Sequence, residues 1–115
     1  MRSLVLAILL LGSAGARGET PFASHCASCH SLAPGPSTLP GPSLARLAGR
    51  VVGSDPAFDY SPALRAARTR GMTWTAALLD QFLADPEAML PGLWMGGRGI
   101  SDTTERAAIV REVLR

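Results

Sequence analysis

The chain has 115 residues, 47 % of them hydrophobic but only 5 % aromatic, with a formal net charge of +2. That length holds one small domain, and so few large side chains leave it short of material for a core. Every cation is arginine, with no lysine anywhere, and no basic stripe with interleaved aromatics appears, which sets nucleic-acid binding aside.

The amino terminus reads as a leader and not as part of the domain. Met1 and Arg2 give a positive start, Leu4 to Leu11 an apolar run, and Ala14-Gly15-Ala16 a small-residue cleavage site, which together predict a secretory signal peptide over 1–16. The run is shorter than the roughly twenty residues that span a bilayer, so no stable membrane span is expected after cleavage. The domain is then 17–115, exported to the periplasm, with a net charge near zero once the basic start is removed.

Thr20 can cap and Pro21 can open a first helix, with Phe22, Cys26 and Cys29 at helical spacing behind them, ending near His30. Within it stands Cys26-Ala27-Ser28-Cys29-His30, the C-x-x-C-H attachment signature of a c-type haem. Two thiols on one side of a helical turn can meet the two vinyl groups of one haem, and His30 follows as an iron ligand. Three other readings are weaker. A thioredoxin-type redox pair wants a βαβ context that is lacking, a zinc site would crowd four ligands into six residues, and a Cys26–Cys29 disulfide would close a loop too tight to constrain much chain.

From Ser31 to Asp59 run 29 residues, nine of them Pro or Gly, without periodicity. So long a structureless segment makes sense in a compact domain if it wraps an apolar disc that supplies the missing core. Ser61-Pro62 predicts a short helix through Arg68 ending near Gly71, and Thr73 to Thr75 starts another, with Ala76, Leu79, Phe82 and Leu83 on one face until Pro86. Leu90 to Gly97 reads as a loop. Asp102 and Glu105 predict a capping box for a last helix with Ala108, Ile109 and Val113 on its apolar stripe. The expected class is all-α, about four short helices and long loops around one haem.

A closed haem needs a second axial ligand, and the candidates are His25, Met72, Met89 and Met95. His25 is too close to the first cysteine to reach the opposite face of the ring. Met72 sits in an arginine-flanked turn, and Met89 fits gap-filling in a helix. Met95 projects from a Pro- and Gly-bounded loop far along the chain from His30, and is the preferred ligand.

In the set Cys26 to His30, Gly41-Pro42-Ser43-Leu44, Gly49-Arg50, Tyr60, Trp74, Pro91-Gly92-Leu93-Trp94-Met95, Gly99-Ile100 and Thr104-Glu105-Arg106, the chain resembles the class I monohaem cytochromes c of the bacterial c2 and mitochondrial kind. The resemblance implies a haem c bound through Cys26 and Cys29 and ligated by His30 and Met95, with the Pro42 carbonyl on the outer nitrogen of His30. It implies that Arg50, Tyr60 and Trp74 hold a propionate, and that Gly18 and Phe22 meet Ile109 where the first and last helices cross. The departures are Phe82 in place of a tyrosine, Leu93 in place of a threonine and Glu112 in place of an aromatic, which implies a drier distal side. Where mitochondrial relatives carry lysines around the haem edge, this chain has His25, Leu39, Glu87, Trp94 and Asp102, so apolar docking through Leu39, Leu93 and Trp94 with weak salt dependence is expected.

The implied function is one-electron transport in the periplasm between respiratory or dehydrogenase complexes and a terminal acceptor. With both axial positions filled, no site remains for substrate, and no enzyme activity is expected. The alternative is a haem-c subunit permanently bound to a larger periplasmic dehydrogenase. The partners are redox proteins, and the chain is expected as a monomer or as that subunit.

Overall fold

The computed structural model describes residues 18–115. The signal-peptide expectation, 1–16, lies outside the described residues. Within them are five helices in chain order: α1 (Pro21–His25), α2 (Pro62–Thr69), α3 (Ala76–Ala84), α4 (Pro86–Met89) and α5 (Thr103–Val113). Among the described residues the only β pairing is an isolated antiparallel bridge between Val51 and Thr73, so the class is all-α as expected.

The helix starts follow from local chemistry. Oxygens of Thr20, Ser61, Thr75, Asp85 and Asp102 each accept a hydrogen bond from a backbone N–H three residues on, which satisfies a donor the helix itself cannot. Proline opens α1, α2 and α4, where its missing N–H costs nothing. α2 ends where Gly71 turns left-handed at φ +71°, a conformation open to glycine without a Cβ penalty.

Two boundaries differ from the sequence reading. α1 stops at His25 and does not reach His30, because the Ala27 N–H reaches back five residues to Phe22 and the N–H groups of Cys29 and His30 then share the Cys26 carbonyl. The cysteine motif therefore sits on two successive turns. Pro86 ends α3 as expected but also opens α4, since Asp85 supplies the cap and proline is well suited to the first helical position.

α1 and α3 both pack on α5, and α4 packs on α3. Phe22, Leu79, Phe82, Leu90, Ile109 and Val113 close these contacts, each burial worth about 1.5–3 kcal/mol. The long loop is not free. Its end runs antiparallel to 72–74, with Gly49 N–H donating to Trp74 O at 2.8 Å, Trp74 N–H to Arg50 O at 2.9 Å and Val52 N–H to Met72 O at 2.7 Å. Ile109 and Val52 are among the most deeply buried side chains, and Leu32, Leu44, Met72, Leu78, Leu83 and Met89 are partly buried and pack against this core.

Candidate functional site

His30 anchors the site. Its Nδ1 lies 2.9 Å from the Pro42 carbonyl oxygen, and because a carbonyl can only accept, Nδ1 carries the proton and Nε2 is left as the free lone pair. Gly41 makes that approach possible. A Cβ there would stand 2.5 Å from His30 Cε1 and 2.7 Å from Nδ1, while the Gly41 N–H is itself fixed to the Cys29 carbonyl at 2.8 Å. Glycine at 41 is thus demanded by the imidazole, and the imidazole by the motif that carries it.

Cys26 and Cys29 form no disulfide with each other, Cys26 being half-buried and Cys29 exposed. Burial pushes the Cys26 thiol up, and the nearby Glu112 carboxylate and Cys29 add to the shift. Among the described residues no group of three or more His, Cys, Asp or Glu could hold a bare metal ion, so a zinc site is not formed there.

Arg50 is committed to the loop and still has a donor to spare. Its two terminal nitrogens donate to the carbonyls of Ala45 and Ser43, each at 3.1 Å, and Nε is buried without a partner. A buried unpaired N–H is costly unless an acceptor arrives, and a carboxylate would satisfy it. Tyr60 lies within the field of Arg50, its oxygen accepting from the Asp55 N–H at 3.1 Å, and its hydroxyl is pushed up above the ordinary 10.0 chiefly by burial. Trp74 is buried edge-on against Phe82 with centroids 5.3 Å apart, and its backbone pairs with Arg50. Arg50 and Trp74 are thus joined through their backbones at the end of the loop, with Tyr60 near enough to feel the Arg50 charge.

The methionines separate by environment. Met72 receives an Arg70 N–H on its sulfur at 3.5 Å, and Met89 is partly buried in α4. Met95 is 38 % exposed on the loop between α4 and α5, beside Trp94 at 62 %. The feet of that loop are fixed: Gly92 N–H donates to Glu87 Oε1 at 2.8 Å, Ile100 N–H donates to Leu83 O at 2.8 Å, and a Cβ on Gly99 would overlap the Ala84 carbonyl.

Two features escape a reading of the sequence. Arg106, only 13 % exposed, donates Nε to Asp80 at 3.0 Å and a terminal nitrogen to the carbonyls of Ile100 and Ser101. Its partner lies 26 residues away, beyond any local pattern. Glu105 forms only half of a capping box: its N–H is capped by Asp102, while its carboxylate crosses to His25 Nε2 at 3.4 Å. A Cβ added at Gly18, just before α1, would meet only open space, while Phe22 and Ile109 are both buried where α1 packs on α5.

Two cysteines on successive turns, an oriented imidazole beside them and an unspent buried guanidinium N–H all fit one covalently attached haem. Together they define a haem-holding electron-transfer fold.

No family model matches the chain. It is 38 % identical over 90 residues to cytochrome c2 of Agrobacterium tumefaciens (strain II Chrys), spanning 78 % of this chain and 80 % of that protein. It is 37 % identical over 85 residues to cytochrome c-550 of Ancylobacter novellus, 74 % of this chain and 78 % of the relative. Among solved structures, cytochrome cH from Methylobacterium extorquens superposes with a TM-score of 0.69 at 33 % identity, covering 81 % of this chain and 89 % of that one. The chain belongs to the cytochrome c family, with a class I fold. It is an electron carrier and not an enzyme, and it carries one haem c through Cys26 and Cys29.

Proposed function

We propose that this protein is a periplasmic one-electron carrier, exported by residues 1–16 and working as the domain 17–115, whose iron is ligated by His30 and Met95. The haem, when bound, supplies an iron that gains and loses one electron. What the chain's own residues contribute is orientation, charge compensation and exclusion of water. The observation that carries the reading is the His30 imidazole, held by Pro42 with Nε2 unengaged. That hydrogen bond fixes the ring and makes it a more basic ligand. Arg50 offers its unpaired Nε to a propionate, with Tyr60 and Trp74 beside it. Phe82 against Trp74 keeps that side apolar and rigid, so little has to rearrange when the charge at the centre changes.

Met95 is the methionine this reading puts on iron, and the contacts of Met72 with Arg70 and of Met89 with the core support that choice. The test is the weak long-wavelength band of the oxidised holoprotein that reports an iron–methionine bond. It is expected to vanish in Met95→Ala and to survive in Met72→Leu and Met89→Leu; persistence in the first variant refutes the assignment.

The exposed Trp94 favours keeping a second reading, a haem subunit bound permanently to a larger dehydrogenase. Gel filtration of native periplasm separates the two, since a free carrier elutes near its own mass.

A further inference from the structure

The Met95 loop stands on acid at both feet. Asp85 and Glu87 lie at its α4 end, Asp102 and Glu105 at its α5 end, and the packing of Gly99 against Ala84 and Asp85 draws the two ends together. Asp85, Glu87 and Asp102 spend their oxygens on backbone N–H groups, which leaves their charges whole, and Glu105 meets only His25. Arg98 is the one cation on the loop, because Arg106 is turned inward to Asp80. The other described arginines stand at 46, 50, 65, 68 and 70 and, at the far end of α5, at 111 and 115. On the same loop as these acidic feet, Trp94 is an exposed large hydrophobic residue.

We propose that the face carrying Trp94 docks a redox protein whose own face is apolar at its centre and ringed by lysine or arginine. This rests on the carrier reading and deepens it by naming the partner's chemistry. The missing lysines alone suggest docking that salt hardly affects. The gathered carboxylates give that dependence a sign, because opposite charges steer encounter and salt screens them.

The test uses the reduced holoprotein in stopped flow with two one-electron oxidants. One is tris(phenanthroline)cobalt(III), cationic with apolar aromatic faces, and the other is anionic hexacyanoferrate(III). In each reaction one electron leaves the protein, and cobalt(III) becomes cobalt(II) or the reagent's iron(III) becomes iron(II). Between about 10 and 150 mM ionic strength, where the screening length shrinks from ~30 to ~8 Å, the cobalt rate is expected to fall by on the order of tenfold and the hexacyanoferrate rate to rise. The double change Glu87→Gln with Asp102→Asn keeps both hydrogen-bond acceptors and should slow the cobalt reaction several-fold while speeding the other. Trp94→Ala should slow only the cobalt reaction, and Arg65→Gln with Arg68→Gln should move neither. A cobalt rate indifferent to salt and to the double change, or a hexacyanoferrate rate that salt depresses, overturns the proposal. Oxidation by neither reagent would overturn the carrier reading, and this proposal with it.

Discussion

Gly41→Ala places a methyl group where the His30 ring already is. The new Cβ would be 2.5 Å from Cε1 and 2.8 Å from the Cys29 carbonyl, and the Gly41 N–H bond to that carbonyl keeps the backbone from retreating. Overpacking of this kind costs about 1–3 kcal/mol, and if the ring swings away the bond to Pro42 goes too, at about 1 kcal/mol. The expected total is roughly 2–4 kcal/mol, or a melting temperature lower by ~10–20 °C for a domain of this size. A less basic imidazole also donates less charge to iron, so the midpoint potential should rise. Calorimetry and a redox titration of the holoprotein read both effects. Gly18→Ala, which meets only open space, is the control and should stay within about 0.5 kcal/mol. If Gly41→Ala melts and titrates like the parent, the close approach of glycine to imidazole is not what fixes the ligand.

Arg106→Ala removes a part-buried ion pair and two bonds to the foot of the Met95 loop, and should cost about 2–4 kcal/mol in urea unfolding. In a cycle with Asp80→Ala, the coupling should stay below ~1 kcal/mol, because Asp80 is half exposed and the carbonyl bonds carry most of the effect. Tyr60 has its hydroxyl pushed up by burial, so the fold favours the neutral form. That stability is fully present below the unfolded value of 10.0 and is lost as pH rises through the higher folded one. Melting curves across that window should fall in the parent and fall less in Tyr60→Phe, which starts about 1 kcal/mol lower for want of the bond from Asp55; parallel curves would show that Tyr60 is not the group titrating.

Much of this architecture is written locally. Thr20, Ser61, Thr75 and Asp102 cap where the sequence says they should, and Cys26 to His30 announces its cofactor in five residues. Local patterns also foretell Pro86 as a stop, but not as a start, because that depends on Asp85 turning back to cap the next helix. What stays hidden are the pairings between distant segments. Arg106 with Asp80, Glu105 with His25, and the contact of Gly99 with Ala84 are each decided by the packing of helices. Arg50 falls between: its identity is readable, but its use of two nitrogens to close the loop, leaving only Nε over, is visible only in three dimensions.

The crossing of α1 and α5 is fastened twice, by Phe22 against Ile109 beneath and by His25 with Glu105 across the rim. Beginning and end of the domain are thereby clasped, and everything between is a closed circuit of chain. A break in the exposed stretch from Ala33 to Pro36 would open that circuit without undoing the clasp, leaving two fragments that remain one body.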